Sequence, residues 1–285
     1  MGRLALALIV LAGLPACAFA ADLLNVEREG PARQIVELEL GGSGWSRLKE
    51  GSRMLDHQSQ FNEAASFIRR KRMGAGPFFW GWGAQQEVFS FKHREGFPIS
   101  HFQDYAAQFS IEYIPGAKTL ASLVVRPGFY FEDTPTLRAW DIPFDFITGV
   151  PIKDPVNGVI GISHGRFYRR PIPVLGLAWA LNPKVEIDAV FPEPSINLIL
   201  ADGTEARLGG KLLGAGFRCD SQPGHQSVEY FIYRIGPSIT RRVAPGLKLT
   251  AGAGYEMQST FDFSGGRRLR AGDAPYLELG LQFVR

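Results

Sequence analysis

The sequence predicts an all-β protein, a transmembrane up-and-down antiparallel β-barrel of about twelve strands, within a range of about 10–14. Three observations support this fold. Large apolar residues alternate with small or polar ones through most of the chain after about residue 78. Tight turns and longer polar connections separate the alternating segments. The N-terminus resembles an export signal, and Cys219 is the only cysteine that follows it, so no disulfide within the mature chain is expected.

The clearest segment runs from Pro173 to Leu200. Its odd-numbered positions are mostly apolar on both sides of a turn at Asn182-Pro183, and the even-numbered positions before the turn are small. After the turn the even positions carry charge at Lys184, Glu186 and Asp188. Because successive side chains of a strand point to opposite faces, this period of two predicts an antiparallel hairpin with one apolar and one polar face.

The same alternation predicts further strands. Regular segments lie at 105–113, 123–131, 247–258 and 277–283, and less regular ones at 78–91, 137–149, 158–168, 195–201, 205–219 and 227–241. Short connections such as Ala244-Pro245-Gly246 are interspersed with longer polar ones such as Asp262–Asp273. Outer-membrane barrels have short periplasmic turns and longer external loops, and an even strand number places both ends of the barrel on the periplasmic side.

Residues 1–20 form the predicted signal peptide. Arg3 supplies the positive charge, Leu4–Leu14 the apolar core and Ala18-Phe19-Ala20 the cleavage site. The apolar run is too short to span a membrane as a helix. Alternatively, Leu14–Cys17 resembles a lipoprotein signal in which Cys17 is lipidated. In either case the chain is expected to be exported, and we predict location in the bacterial outer membrane.

Residues 21–73 do not follow the alternating pattern, and we predict a periplasmic lead-in that is partly disordered or helical. A short strand is expected near residues 34–40, and a helix over 58–72 that ends in the basic run Arg69–Arg72. Either the segment is solvated, or its helix contacts lipid head groups or plugs the lumen. The predicted barrel then covers residues 74–285.

The positions of aromatic residues favour a membrane barrel over a soluble periplasmic β-barrel that binds an apolar ligand, which is the alternative. Tyr105 and Tyr113 bracket an apolar face that spans roughly 20 Å along the membrane normal, close to the apolar band of about 25 Å in such barrels. The expected partners are outer-membrane lipids and the barrel-insertion machinery. The predicted aromatic girdle comprises Tyr105, Tyr113, Trp179, Phe191, Tyr255 and Phe283.

Charged residues occupy the polar face of several predicted strands. A solvent-exposed face could hold such charges too, but in a membrane barrel they line the lumen and form salt-bridged ladders. This predicts a narrow pore or transport protein with a small solute in the lumen, or a structural envelope protein with a filled lumen. The candidate lumen residues are Glu112, Arg126, Arg166, Glu186, Asp188, Arg234, Lys248 and Glu256.

An outer-membrane hydrolase acting on lipid or peptide is the enzymatic alternative, with His164, Asp141 and Asp145 as candidate catalytic residues. Ser163 and His164 are adjacent on a strand and point to opposite faces, so they cannot act together as nucleophile and base. The five histidines lack ligand spacing, so we predict neither a metal nor a cofactor. The small net charge of +3 gives no support for nucleic-acid binding.

The C-terminal two-thirds resembles an uncharacterised family of bacterial outer-membrane β-barrel proteins. The similarity lies in Pro173–Leu177, Asn182-Pro183, Val185–Pro192 and Asp273–Leu277. The resemblance implies the barrel fold and the outer-membrane location, and it implies no activity. One departure concerns the C-terminus: barrels of this class usually end on an aromatic residue, whereas here Phe283 is followed by Val284-Arg285.

Overall fold

A computed structural model describes residues 34–95, 97–115, 120–168, 170–201, 203–221 and 227–285. In these ranges the chain forms 17 strands and a single turn of 3₁₀ helix at Leu137–Ala139. A helix long and apolar enough to span a membrane is not found within them. The strands are β1 (Gln34–Glu50), β2 (Arg53–Arg72), β3 (Phe78–His93), β4 (His101–Tyr113), β5 (Ala121–Val125), β6 (Gly128–Phe131), β7 (Trp140–Asp141), β8 (Phe144–Lys153), β9 (Val156–His164), β10 (Ile172–Asn182), β11 (Val185–Phe191), β12 (Ser195–Ala201), β13 (Thr204–Arg218), β14 (Ser227–Ala244), β15 (Leu247–Phe263), β16 (Arg268–Ala271) and β17 (Ala274–Val284).

These strands close into a single antiparallel barrel. Neighbours in the chain pair with one another, and β17 pairs with β1 from Val284 opposite Ile35 to Tyr276 opposite Ser43. Three pairs of segments each serve as one interrupted strand. β5 and β6 both pair with β4, and β16 and β17 both pair with β1 and β15. β7 and β8 pair with β6 and β5, the two parts of one interrupted strand. The circumference therefore has 14 strands, the upper limit of the predicted range.

Two of the three interruptions fall at prolines. Pro127 separates β5 from β6, and Pro143 separates β7 from β8. Proline has no N–H to donate to the sheet, so a ladder tends to break where it occurs.

The structure corrects the prediction for residues 34–72. They form β1 and β2, which pair with each other from Gln34 opposite Arg69 to Glu50 opposite Arg53, so the barrel begins at residue 34 and not at 74. The predicted helix over 58–72 is wrong, because these residues lie in β2, and the glycine-rich residues 41–44 lie within β1. A Cβ on Gly41 would lie 2.5 Å from Asn62 Oδ1, so glycine makes room there for interior side chains. The predicted signal peptide and residues 21–33 lie outside the described residues.

The barrel has an apolar outer face and a largely polar interior. Apolar residues are exposed on the outer face of many strands, including Phe61, Trp80, Phe109, Leu123, Leu175, Leu208, Ile239, Leu249 and Leu279. Buried polar side chains alternate with them and point inward, including Asn62, Gln85, Gln108, Ser122, Asp188, Ser195, Arg234 and Glu256. An arrangement with the apolar side outside is the inverse of a soluble barrel, whose core is apolar.

The two ends of the barrel differ. At one end, which we call the terminal end, the backbones of Gln34 and Arg285 hydrogen bond to each other. At the opposite end, which we call the loop end, the strands end at different distances from the terminal end. Strands β1–β4 and β13–β15 contain 13–20 residues, whereas β8–β12 contain 7–11. The tall strands therefore extend beyond the short ones at the loop end.

A parallel contact between β6 and β13 pinches the barrel at its loop end. Arg218 lies opposite Phe131, and the Glu132 N–H donates to the Arg218 carbonyl oxygen at 3.0 Å. The two strands are not neighbours around the barrel, since β7–β12 lie between them on one side. The C-terminal part of β13 therefore crosses the barrel opening at the loop end. It separates the space enclosed by the tall strands from the space above the ends of the short strands.

Candidate functional site

Aromatic side chains fill the interior between the tall strands at the loop end. Phe102 on β4 and Phe217 on β13 stack with ring centroids 4.9 Å apart, and Phe89 on β3 meets Tyr230 on β14 edge-on at 5.2 Å. These contacts join strands on opposite sides of the barrel. The aromatic core, as we call it, consists of the buried residues Phe89, Phe91, Phe102, Phe217, Tyr230 and Phe261. Its packing closes this half of the barrel at the loop end.

The closing loop, residues 165–168 after β9, covers the other half. Phe167 and Tyr168 are only 7% and 5% exposed. Their rings pack against the outward face of β13 and β14: a Cβ on Gly216 would lie 2.5 Å from Phe167 Cβ, and the Tyr168 ring meets Phe231 edge-on at 5.6 Å. The absence of a side chain at Gly216 creates the space that Phe167 of the loop occupies.

Asp141 holds the closing loop in place. Its carboxylate accepts hydrogen bonds from the backbone N–H groups of Arg166 at 2.9 Å and Phe167 at 3.4 Å, and from Ile142 at 2.7 Å. A buried carboxylate that accepts several backbone hydrogen bonds fixes the local conformation strongly. The loop-end opening is thus covered by a segment whose backbone is held by one carboxylate.

Ion pairs cross or line the interior below these closures. Lys211 on β13 binds Glu39 on β1 with Nζ–Oε2 2.6 Å, and these strands are not adjacent, so the pair spans the interior. Three further pairs line the wall: Arg234 with Glu256 at 3.3 Å, Arg70 with Glu112 at 3.1 Å, and Arg126 with Asp145.

Most of the predicted lumen residues lie on the inward face. Five of them are buried there, and Glu186 and Lys248 are partly buried. The five are Glu112, Arg126, Asp188, Arg234 and Glu256. Arg166 is the exception: it is exposed on the closing loop, so its lumen assignment is wrong. The reason is that β9 ends at His164, and the alternation of faces does not extend beyond the end of the strand.

The predicted girdle residues lie on the outer face. Tyr105, Trp179, Phe191, Tyr255 and Phe283 are exposed. Tyr113 is half-buried because its ring packs against Phe78, with centroids 5.0 Å apart.

The candidate catalytic residues each have structural partners. Asp145 pairs with Arg126, and Asp141 binds backbone N–H groups of the closing loop. His164 is half-buried between the rings of Phe144 and Tyr168, each 6.3 Å from its own. The structure therefore accounts for these three residues through packing and hydrogen bonding, and their role in an enzyme remains a prediction without support from geometry.

Sequence reasoning missed two features of the interior. The first is the closing loop, whose packing depends on Gly216, a residue far from it in the sequence. The second is a pair of carboxylates, Glu87 on β3 and Asp104 on β4, which lie opposite each other in the strand register. Segment 78–91 mixes glutamine, glutamate and phenylalanine on its inward face, so its alternation was hard to recognise.

No protein-family model and no curated protein sequence matches the chain. The resemblance to an uncharacterised family therefore remains a prediction. Solved structures do match. An outer-membrane channel from Pseudomonas putida F1 has a TM-score of 0.54 at 7% identity, over 90% of this chain and 96% of that one. The translocator domain of the autotransporter NalP from Neisseria meningitidis has a TM-score of 0.35 at 8% identity, over 90% of each chain.

The match to the Pseudomonas channel supports the fold. The Pseudomonas channel and this protein share an overall barrel architecture, while the low identity transfers no residue roles. The chain is thus an antiparallel β-barrel of the outer-membrane type.

Proposed function

We propose that the protein spans the bacterial outer membrane and forms a narrow pore for small solutes that is closed at its loop end in this conformation. The exposed apolar face around the barrel supports the membrane location, because such a large continuous apolar surface is stable in lipid and unfavourable in water. The inward-facing Glu186 and Lys248, which are only partly buried and lie next to turns of the terminal end, support a water-facing entrance there.

The closed state follows from the two closures at the loop end. The aromatic core is packed between tall strands that belong to the sheet itself. The closing loop, in contrast, is a four-residue segment outside the sheet: Asp141 holds its backbone, and its Phe167 and Tyr168 rings are buried. Displacing a loop costs far less than separating a packed core, so the loop is the element that moves when the pore opens.

The contact between Phe167 and Gly216 is the observation that carries this proposal. Gly216→Val places two methyl groups where the Phe167 side chain and backbone now lie, since even a Cβ there would be 2.5 Å from Phe167 Cβ and 2.6 Å from its carbonyl carbon. The loop must then leave the surface of β13. We expect resolved conductance steps in planar lipid bilayers for this variant, and far fewer and smaller ones for the wild type.

Gly42→Val is the matched control. A Cβ on Gly42 first meets Phe61 at 3.5 Å, an ordinary contact on the outer face. This variant should conduct like the wild type. If the folded Gly216→Val barrel also conducts like the wild type, the closing loop is not the gate and the proposed pore is wrong.

A further inference from the structure

A group of basic side chains lies on the outer face of the barrel at the loop end. Arg47 and Lys49 of β1 flank Leu48, which is fully buried on the inward face, so both point outward. Arg270 of β16 points outward for the same reason, because the residue on either side of it is buried. All three cations are exposed, and they form a patch of positive charge on the tall side of the barrel.

A fourth cation joins this patch from the end of β3. The guanidinium of Arg94 lies 4.7 Å from the centroid of the Trp45 ring on β1, and Trp45 is itself 45% exposed. A guanidinium over the face of a tryptophan is attracted by the electrons of the ring, which holds the charge of Arg94 at this place. We call Arg47, Lys49, Arg94 and Arg270 the basic cluster.

Two cations of the cluster oppose each other directly. Lys49 lies opposite Arg270 in the register of β1 with β16, and like charges directly opposite each other on a sheet are destabilising. In the part of the chain that the structure describes, no carboxylate forms an ion pair with either of them, whereas Arg268 on the same strand pairs with Asp262. An anion from outside the protein would relieve this repulsion.

The cluster lies just beyond the apolar band of the outer face. Phe283, a predicted girdle residue near the terminal end, lies opposite Val36 on β1. Trp45 follows Val36 by nine residues, which is roughly 20 Å along the membrane normal at the rise and tilt of barrel strands and close to the height of an apolar band. Arg47 and Lys49 come next along β1, so their side chains reach the level of the lipid head groups.

We propose that the basic cluster binds an acidic glycolipid of the outer leaflet, of the lipid A type, through two phosphate groups on its sugar head group. Each phosphate monoester carries about 1.5–2 negative charges at pH 7, so two of them balance four cations. A phospholipid with one phosphodiester leaves most of the cluster uncompensated. The acyl chains would lie against exposed apolar residues below the cluster, such as the opposed Leu40 and Leu279. This inference rests on the proposed membrane location and does not require the pore.

Native mass spectrometry of the full-length protein in a nonionic detergent tests the site. The probes are diphosphoryl lipid A and phosphatidylglycerol, added at the same concentration. We expect the wild type to bind lipid A more tightly than phosphatidylglycerol by about tenfold or more, because the second phosphate engages cations that a single phosphate leaves free. Inorganic phosphate should leave lipid A bound, because the free ion has no acyl chains to pack against the outer face.

Lys49→Gln combined with Arg270→Gln should weaken lipid A binding by about 30-fold, which corresponds to about 1 kcal/mol for each cation removed. The control combines Lys71→Gln with Arg241→Gln. It removes the same two residue types from exposed positions near the terminal end, on β2 and β14, which are not adjacent. This control should bind lipid A like the wild type. All four side chains are exposed, so both double variants should fold, and the heat-modifiable band on gels verifies this.

Thermal unfolding provides a second readout. Without lipid A and at low salt, Lys49→Gln should unfold at a higher temperature than the wild type, because one of two opposed charges is gone. With lipid A the order should reverse, because a ligand that binds the folded state stabilises it in proportion to its affinity. A basic face that only contacts water predicts no reversal.

Equal binding of lipid A by the wild type and the Lys49→Gln, Arg270→Gln double variant would overturn the site. Equal binding of phosphatidylglycerol and lipid A, or displacement of lipid A by inorganic phosphate, would overturn it as well. A barrel that folds in vesicles and does not bind lipid A contradicts this inference alone. Failure to insert into vesicles contradicts the membrane location on which the inference rests.

Discussion

Glu256→Gln is expected to lower the free energy of unfolding by about 3–5 kcal/mol, because it leaves a buried arginine without its counter-charge. Arg234 is fully enclosed: its guanidinium pairs with Glu256 at 3.3 Å and lies 5.1 Å from the centroid of the Tyr276 ring. Removing the carboxylate charge while keeping the side-chain shape separates electrostatics from packing. Urea titration of the protein in lipid vesicles, followed by fluorescence, measures the change.

Glu50→Gln provides the control for this prediction. Glu50 pairs with Arg267 at 2.9 Å near the loop end, and both side chains are about a third or more exposed. Water solvates both groups after the substitution, so the expected change is below about 1 kcal/mol. Equal effects of the two substitutions would contradict the view that the barrel interior excludes water around Arg234.

Leu177→Arg should prevent or severely impair assembly in a bilayer. Leu177 lies at the middle of β10 on the outer face and is 48% exposed. A charge on the lipid face of a barrel near the bilayer midplane costs about 2–4 kcal/mol. We expect the heat-modifiable band on gels, which reports a folded barrel, to decrease strongly after refolding into vesicles.

The matched change Leu137→Arg should have little effect on assembly in a bilayer. Leu137 is 86% exposed in the 3₁₀ turn at the loop end, beyond the paired strands. The two substitutions introduce the same side chain and differ only in depth. If both variants refold equally well in vesicles, the outer face does not contact lipid, and a soluble barrel becomes the better account.

The extent to which the fold could be predicted depended on how clean the alternation was in each strand. Around the turn at Asn182-Pro183, apolar residues face outward and small or charged residues face inward, so the hairpin of β10 and β11 was confirmed. In β2 the pattern is mixed: Glu63 is exposed on the outer face, while Ala64 and Ile68 are buried on the inward face. The position of β2 is fixed by its pairing with β1 and β3, which a single sequence does not reveal.

The candidate site depended still more on long-range contacts. Individual lumen residues such as Arg234 and Glu256 could be predicted, because the strand period determines their face. The aromatic core requires Phe102 and Phe217, which are far apart in the sequence, to meet across the barrel. This meeting results from the parallel contact of β6 with β13, for which the sequence has no local signal.

A reversible tether on the closing loop tests the central claim most directly. In a Cys219→Ser background, Phe167→Cys and Gly216→Cys place two thiols at the contact between the loop and β13. The Cβ positions are 2.5 Å apart, so an outward shift of the loop by about 1 Å permits a disulfide. After reduction we predict resolved conductance steps, because the phenylalanine ring is gone and the side chain added at position 216 displaces the loop. On oxidation we predict that these steps are lost. The same conductance in both redox states would contradict a pore gated by residues 165–168.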